Sequence, residues 1–398
     1  MSPRDLGAAS NGKRGVVPSL TVAPPITLAD MGATRLASLC QGLGFDPSQT
    51  LAATDVFRKM AVAWGSSPLA HGPRWTSDIT DDHTPFEFSL AICNNAPELR
   101  FLIEAQGELP SIRTNWEASR ALNERLARDI GADLRRLGAV EDLFVPNGDT
   151  CRFAMWHAVV LRPSGPPDIK VYLNPQVRGK RHARALVETA MQRLGFDGAT
   201  AHLPETGPDD DICYFSLDLS PRPDARVKVY TAHHRATLAR IKAAVACARG
   251  FESRRVREFC ETMGNGPGPY TARPVLTCLS FVQSQLAPTA ATVHFPVRTY
   301  ALDDAAVRDR VRGYLEPEAA SVYTRALDAF ADRRLEDGVG MQTYVSLRLE
   351  REQKRLTVYL APEAFEIAQV AVSQPKVSGV VMRSAAADSW LSAVGEEK

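Results

Sequence analysis

The chain contains 398 residues, of which 44% are hydrophobic and 23% are charged, and its 47 basic and 46 acidic side chains nearly cancel. This balance is typical of a globular protein and disfavours a general nucleic-acid binder, since such proteins usually carry a basic excess over a whole domain. No segment approaches the roughly 20 apolar residues that span a bilayer, and residues 1–25 lack the apolar core of a signal peptide. We therefore expect a cytoplasmic protein that binds neither nucleic acid nor a membrane.

Apolar spacing and strict alternation predict helices and strands in a repeated order along the chain. Helical spacing is found at 31–44, 51–64, 115–138, 180–195, 235–248, 253–263, 303–314 and 317–334. Strand-like alternation is found, in consecutive pairs, at 85–93 and 98–106, 151–162 and 169–174, 212–219 and 226–231, 275–283 and 291–300, and 342–349 and 355–360. The order helix, helix, strand, strand thus recurs five times, with a period of roughly sixty residues.

Five hairpins supply ten antiparallel strands, and a sheet of this size most naturally closes into a barrel, because closure removes its exposed edges. The predicted fold is α/β (α+β), a ten-stranded barrel with the helices outside. We expect one domain over 31–372, a flexible N-terminal segment over 1–30 and a C-terminal tail over 373–398. The end of the domain, 362–372, is predicted to add a terminal helix.

The seven cysteines are an odd number and form no C-x-x-C pair. This pattern favours reduced thiols and argues against a structural zinc site. The acidic clusters at 78–82 and 209–211 lie next to Gly, Pro, Thr or His, so we interpret them as solvated turns rather than metal sites.

Three of the strands carry cations and a tyrosine on one face and apolar residues on the other. These residues are Lys170 and Tyr172; Arg226, Lys228 and Tyr230; and Arg355 and Tyr359. One such strand is most simply explained by an apolar face on the core and a charged face in water. Recurrence on three hairpins favours a different interpretation, in which the basic and aromatic faces line the lumen of the barrel and bind an anion.

Glu87 stands in the same kind of alternation, with Phe86 and Phe88 on one face and Glu87 and Ser89 on the other. The pattern places its carboxylate on the lumen side of the predicted barrel. A solvated strand glutamate explains the residue equally well when it is considered alone.

Several motifs on successive hairpins together resemble the dimethylallyltryptophan synthase family of aromatic prenyltransferases. They are Thr84-Pro85-Phe86-Glu87-Phe88-Ser89, Lys170-x-Tyr172, Arg226-x-Lys228-x-Tyr230, and the segment from Arg355 through Tyr359 to Pro362. The resemblance extends over 31–372, favours a bacterial member similar to the tryptophan 6-dimethylallyltransferases, and implies the ABBA barrel fold. It also implies transfer of a dimethylallyl group from dimethylallyl diphosphate to an indole such as L-tryptophan, at C6, with no required cofactor and no essential magnesium.

The resemblance assigns roles to individual residues. Arg100, Lys170, Arg226, Lys228 and Arg355 would bind the diphosphate, with Arg298 as a further cation and His294 as a hydrogen-bonding group. Tyr172, Tyr230 and Tyr359 would shield the allyl cation, and Glu87 would accept the indole N–H. Met155, Trp156 and Cys213 are predicted to lie in the lumen near the acceptor.

Two positions depart from the pattern of fungal members. Where those enzymes offer a lysine as proton acceptor, this chain has Trp156 and His157, so His157 is the candidate base. A histidine hydrogen-bonded inside a strand pair is an equally good interpretation. On the fourth hairpin, His294 stands where the family often has a tyrosine.

Other functions remain open at this level. A closed barrel that carries an anionic ligand without chemistry would explain the basic lumen, and a prenyltransferase could act on tyrosine, a cyclic dipeptide or a phenol. The protein is expected to be a monomer or a homodimer. No phosphate-binding glycine loop or nucleophile elbow is present in the sequence.

Overall fold

The structure is a computed structural model that describes residues 25–92, 97–148, 151–163, 165–283, 285–350 and 354–366. Its α-helices are α1 Leu28–Gly42, α2 Pro47–Met60, α3 Ile112–Ile130, α4 Arg135–Gly138, α5 Ala183–Arg193, α6 Leu238–Val245, α7 Ser253–Gly264, α8 Asp304–Tyr314 and α9 Pro317–Phe330. Its strands are β1 Phe86–Ile92, β2 Glu98–Glu104, β3 Met155–Leu161, β4 Asp168–Leu173, β5 Asp210–Asp218, β6 Arg226–His233, β7 Val275–Val282, β8 Ala290–Phe295, β9 Gln342–Leu349 and β10 Lys354–Leu360.

The ten strands form a closed antiparallel barrel in which each strand pairs with its neighbours along the chain. Closure is made by β1, which pairs with β2 on one side and with β10 on the other. The predicted ten-stranded barrel with external helices is therefore confirmed. The predicted strand at 291–300 ends earlier, because Val297–Tyr300 forms a 3-10 helix.

Capping residues account for where several helices begin, and α2 begins and ends four residues before the predicted 51–64. Asp46 caps α2 with a capping box and Pro47 occupies its first turn. Ser111 caps α3 in the same way. The helix predicted at 115–138 is interrupted because Gly131 adopts the left-handed conformation, with φ of 79°, so that α3 ends there and the short α4 follows.

The apolar core lies between the outer face of the barrel and the helices. Phe86 and Phe88 of β1 point outward and pack around Phe57 of α2, with ring centroids 5.1 and 6.0 Å from it. Trp64 stacks on Phe86 at 5.5 Å and donates its indole N–H to the Glu104 carbonyl. Burial of each such aromatic ring stabilises the fold by about 1.5–3 kcal/mol, so this layer fixes which face of each strand lines the lumen.

The described residues include only part of the two terminal segments that the sequence predicts. Helix α1 begins at Leu28, inside the segment predicted to be flexible, whereas 1–24 lie outside the described residues. Residues 362–366 form no helix, so this part of the predicted terminal helix is wrong. The remainder, 367–372, and the predicted tail at 373–398 lie outside the described residues.

Two further predictions concern thiols and membranes. The six cysteines within the described ranges are free thiols, and Cys93 lies outside them. None of the described helices combines the length and the apolar character needed to cross a bilayer.

Candidate active site

The lumen is lined by alternate residues of the strands. Glu87 of β1 and Arg100 of β2 belong to the inward set, since Ser89 lies opposite Arg100 while Phe86 and Phe88 pack outward. The predicted alternation around Glu87 is thereby confirmed, and the residue is 8% exposed rather than solvated.

A charged cavity of about 300 Å³ occupies the end of the lumen at which the strand hairpins turn; we call this the hairpin end. Seven cationic and four anionic side chains line it, an excess of three positive charges. The cations are Arg100, Arg162, Lys170, Arg222, Arg226, Arg348 and Arg355, and the anions are Glu98, Asp168, Asp218 and Asp224. Four of the predicted diphosphate ligands, Arg100, Lys170, Arg226 and Arg355, thus meet in one cavity.

Two carboxylates in this wall hold the cations in place. Glu98 accepts hydrogen bonds from Arg100 at 2.7 Å and from Arg355. Burial opposes ionisation of Glu98, but the positive charges of Arg100 and Arg355 prevail and lower its pKa to about 2. Asp218 pairs with Arg226 at 2.7 Å and with Lys170 at 3.7 Å.

Lys228 lies one step deeper on β6, beside the same cations. Burial and then the neighbouring Arg226 charge lower its pKa to about 7. It makes no ion pair with a carboxylate within the described part of the chain, unlike Arg226 and Lys170. The Nε of Arg100 is likewise buried and has no hydrogen-bond partner among the described residues. Both groups are therefore available to an anion in this part of the lumen.

Aromatic side chains form a belt across the middle of the lumen. The hydroxyls of Tyr172 and Tyr230 lie 3.4 Å apart and their ring centroids 5.8 Å apart. Tyr359 contacts His294, with its hydroxyl 3.2 Å from the imidazole Nδ1. Burial lowers the pKa of His294 to about 3, so the ring is neutral and adds no positive charge to the belt. Tyr214 contacts both Tyr172 and Tyr230 and extends the belt.

Glu87 lies beyond this belt, away from the hairpin end. The hydroxyl of Thr343 donates a hydrogen bond of 2.7 Å to its Oε1. Burial raises the pKa of Glu87 to about 8, and the Thr343 hydrogen bond only partly offsets that effect. A buried carboxyl with one oxygen engaged is suited to accept a hydrogen bond from a ring N–H.

Ion pairs between loops lie at the end of the lumen near Glu87, which we call the acceptor end. Arg273 binds Asp81 through two hydrogen bonds of 2.8 and 2.9 Å, and Arg298 binds the same carboxylate. Arg152 pairs with Asp78 at 2.5 Å. The expectation that 78–82 form a solvated turn is therefore wrong. The expectation that 209–211 form a solvated turn is also wrong, since Asp210 is buried against His233.

Two of the predicted lumen residues on β3 lie outside the lumen. The His157 Nε2 is 2.8 Å from the Asn123 amide oxygen on α3, and Asn123 also donates to the Met155 sulfur. Both side chains therefore face the surrounding helix, because alternation places them opposite to Trp156. Burial lowers the pKa of His157 to about 3. The prediction that His157 is the base is wrong on these grounds, as is the lumen position of Met155.

The cation predicted at Arg298 is also misplaced. Because β8 ends at Phe295, Arg298 lies on the following 3-10 helix and binds Asp81 at the acceptor end. The hairpin end, where the other cations meet, begins at the opposite terminus of β8.

The remaining predicted residues are found in the lumen. Trp156 donates its indole N–H to Glu104 at 3.3 Å and contacts Tyr214 at 5.5 Å. Cys213 lies at a bulge of β5, with its sulfur 3.6 Å from the Tyr230 carbonyl. His294 is 8% exposed within the aromatic belt.

The structure brings several unpredicted residues to the lumen. They are Glu98, Glu104, Tyr214, Asp218, Thr343, Tyr344 and Arg348. Most share the alternation of a predicted neighbour, as Glu98 and Glu104 do with Arg100. Thr343 reaches Glu87 beside an irregularity in the pairing of β9 and β10, which no alternation in the sequence indicates.

No three His, Cys, Asp or Glu side chains converge as metal ligands within the described residues. The hairpin-end cavity presents guanidinium and ammonium groups, which are suited to bind phosphate oxygens directly.

Comparisons with known proteins agree with this geometry. A family model described as tryptophan dimethylallyltransferase matches residues 30–325. Crystal structures of 6-dimethylallyltryptophan synthase from Micromonospora olivasterospora and of 5-dimethylallyl tryptophan synthase from Streptomyces coelicolor, each in complex with DMASPP and Trp, are similar over most of the chain. The first is 35% identical, with a TM-score of 0.80, over 86% of this chain and 99% of that chain. The second is 32% identical, with a TM-score of 0.81, over 90% of this chain and 99% of that chain.

A curated relative, prenyltransferase anuH from Penicillium roqueforti (strain FM164), is 40% identical over 79 residues. That match covers 19% of this chain and only 18% of the relative's own length. The family model, in contrast, extends over most of the described barrel. The chain belongs to the tryptophan dimethylallyltransferase family, and the predicted family and ABBA barrel are confirmed.

Proposed function

We propose that this protein transfers the dimethylallyl group of dimethylallyl diphosphate to the indole ring of L-tryptophan, at C6, and releases diphosphate without requiring a metal ion. One observation carries the proposal. A single lumen presents a cationic cavity, a belt of aromatic rings and the buried carboxyl of Glu87 in that order. Family membership supports the reaction. The C6 position is supported by similarity to a 6-dimethylallyltryptophan synthase, although a 5-dimethylallyl enzyme is similar to nearly the same degree.

The donor is activated at the hairpin end. As its carbon–oxygen bond breaks, the electron pair stays on the diphosphate, and fixed cations stabilise that charge better than mobile water does. We assign this role to Arg100, Lys170, Arg226, Lys228 and Arg355. Within the described ranges, the Arg100 Nε has no hydrogen-bond partner and the Lys228 ammonium has no ion pair with a carboxylate, and both observations support the assignment.

The dimethylallyl cation forms within the aromatic belt. Tyr172, Tyr230 and Tyr359 exclude water from it and stabilise it through their ring faces, with each contributing up to about 2 kcal/mol when desolvated. His294 completes the belt as a neutral ring, which avoids placing a second positive charge beside the cation.

The acceptor ring lies between this belt and the acceptor end. Glu87 accepts the indole N–H through a carboxyl oxygen, which orients the ring. C6 forms the new carbon–carbon bond, and the proton on C6 passes to the released diphosphate, so that the ring regains aromaticity. Trp156 and Cys213 line the acceptor position. His157 takes no part, because its imidazole lies on the opposite side of the sheet.

Product analysis tests the proposal directly. The purified protein is incubated with dimethylallyl diphosphate and L-tryptophan in EDTA, and products are examined by mass spectrometry and NMR. We expect tryptophan carrying one added dimethylallyl group, with an aromatic proton pattern that shows substitution at C6. A product substituted elsewhere would contradict the position alone. If tryptophan gives no product, tyrosine, cyclic dipeptides and phenols are assayed next. Absence of any product would support an anion carrier and contradict the proposal.

The compartment that we propose is the cytoplasm, where the free thiols would remain reduced.

A further inference from the structure

Glu98 occupies an unusual position for a carboxylate in an anion-binding cavity. It accepts hydrogen bonds from Arg100 at 2.7 Å, from Arg162 at 3.1 Å and from Arg355. Two of these arginines, Arg100 and Arg355, belong to the group that we assign to the diphosphate. The carboxylate thus already holds cations that the substrate requires.

The ion pairs that begin at Glu98 continue toward solvent. Arg162 binds Asp168 at 2.7 Å, Asp168 lies 3.3 Å from Arg222, and Arg222 lies 3.3 Å from Asp224. The series begins at a side chain that is 15% exposed, Glu98, and ends at one that is 75% exposed, Asp224; between them Arg162 is 37%, Asp168 17% and Arg222 54% exposed. All five line the same cavity, so the cavity runs from the buried cations to the surface at the hairpin end.

We propose that Glu98 is a counter-anion that competes with diphosphate for Arg100 and Arg355, and that it thereby promotes release of the diphosphate product through the hairpin end. The inference rests on the proposed function. It adds a residue that acts on the product rather than on the reacting atoms, and it assigns an exit to the leaving group.

The physical argument concerns the balance of charge in the cavity. Without a ligand, clustered guanidinium groups repel one another, and Glu98 offsets that repulsion. A bound diphosphate feels both the attraction of the arginines and the repulsion of Glu98. When the diphosphate leaves, the arginines return to their pairing with Glu98, so part of the energy lost on release is recovered. Product release limits turnover in many enzymes, and such a device speeds that step.

The outer arginines complete the route. Arg162 and Arg222 lie between the buried cations and solvent, and each is already paired with Asp168. A departing anion meets cations in succession, each of which is partly neutralised and so does not retain it.

A purely structural role for Glu98 predicts the opposite sign. If the carboxylate only orients Arg100 and Arg355, removing its charge disorders them and weakens diphosphate binding. If it competes, removing its charge tightens binding. The direction of the change therefore separates the two roles.

The test is calorimetric titration of inorganic diphosphate, in EDTA, into the wild-type protein, Glu98→Gln, Glu98→Asp and the surface control Glu108→Gln. We expect Glu98→Gln to lower the Kd for diphosphate by about 10-fold or more, because one repulsive charge is removed at close range. Glu98→Asp retains the charge and is expected to stay within about 3-fold of wild type. Glu108 is exposed, so its substitution is expected to change nothing.

Turnover provides a second readout. With tighter product binding, Glu98→Gln is expected to show a lower kcat and stronger inhibition by added diphosphate, while the rate of a single turnover is retained. Unchanged or weaker diphosphate binding by folded Glu98→Gln would overturn the inference and leave the proposed function intact. Failure of the wild-type protein to bind diphosphate would overturn both. If Glu98→Gln does not fold, Asp168→Asn is used instead, at the part of the same cavity that is nearer to solvent. Tighter diphosphate binding by this variant is expected, and unchanged or weaker diphosphate binding would overturn the inference.

Discussion

Two glutamates on one strand face the same lumen and behave in opposite ways. Glu98 and Glu104 lie at the two ends of β2. At the hairpin end, the charges of Arg100 and Arg355 overcome burial and lower the pKa of Glu98 to about 2. At the acceptor end, burial prevails for Glu104, which has Trp156 rather than a cation as a hydrogen-bond partner, and raises its pKa to about 7.

The difference shows how one barrel supports two kinds of chemistry. The hairpin end keeps fixed charges in contact with one another, which suits a polyanionic leaving group. At the acceptor end, burial favours the uncharged form of the two carboxyls, and aromatic rings lie around them. This environment suits a flat, uncharged ring with one N–H. Glu87, with a pKa of about 8, belongs to this second environment.

The largest effect is expected at Glu87. Glu87→Ala removes the group that orients the indole, so kcat/KM for tryptophan is expected to fall by about 100-fold or more. Diphosphate binding is expected to remain within about 3-fold of wild type, because the cations of the hairpin end are untouched. Steady-state kinetics and calorimetry measure the two quantities on the same preparation. Loss of diphosphate binding in this variant would contradict the separation of the two ends.

A somewhat smaller effect is expected at Lys228. Lys228→Ala removes one charge-assisted contact, worth about 1.5–3 kcal/mol, so diphosphate affinity is expected to fall by about 10- to 100-fold. Arg298→Ala provides the matched control, because Arg298 binds Asp81 at the acceptor end. Calorimetry should find its diphosphate affinity near that of wild type. Equal losses in the two variants would show that the cations are not divided as described.

The pH dependence of diphosphate binding sharpens the same comparison. Because the pKa of Lys228 is lowered to about 7, the ammonium is mostly present at pH 6 and mostly lost at pH 8 in the ligand-free protein. Lys228→Arg stays charged over this range. The ratio of the wild-type Kd to the Lys228→Arg Kd is therefore expected to rise by roughly 10-fold from pH 6 to pH 8. A flat ratio would mean that Lys228 keeps its proton throughout.

The smallest effect on catalysis is expected at His157. His157→Ala removes the hydrogen-bond partner of the Asn123 amide oxygen, at a cost of about 1–3 kcal/mol in the free energy of unfolding. Its kcat/KM is expected to stay within about 3-fold of wild type, because the ring faces α3 rather than the lumen. Thermal denaturation and kinetics measure the two effects. A large loss of activity in a protein that remains folded would restore His157 as a candidate base.

The contrast between His157 and Glu87 also shows what the sequence was able to predict. Glu87 lies between two phenylalanines, so the alternation indicates which face of the strand carries its side chain. The strand around His157 has the sequence Met-Trp-His-Ala-Val-Val-Leu, which has no clear polar face. Met155, Trp156 and His157 were predicted to lie in the lumen together, although they are consecutive residues of one strand. Alternation forbids that arrangement, but nothing in the segment says which alternative is correct.

Arg298 and Thr343 illustrate a second limit. Arg298 was assigned to a strand that ends at Phe295, since element boundaries depend on packing that a single sequence does not show. Thr343 reaches Glu87 beside an irregularity in strand pairing. By contrast, the lumen positions of Arg348 and Tyr344 could have been predicted, because they alternate with apolar residues on β9 as Lys228 and Tyr230 do on β6.

The central claim is that the two ends of the lumen bind the two halves of the reaction. A crystal structure with diphosphate and L-tryptophan bound tests it most directly. We predict diphosphate in the hairpin-end cavity, in contact with Arg100 and Lys228, and the indole N–H within hydrogen-bond distance of Glu87. Diphosphate bound instead beside Arg273 and Arg298, or an indole nitrogen that faces away from Glu87, would contradict the account.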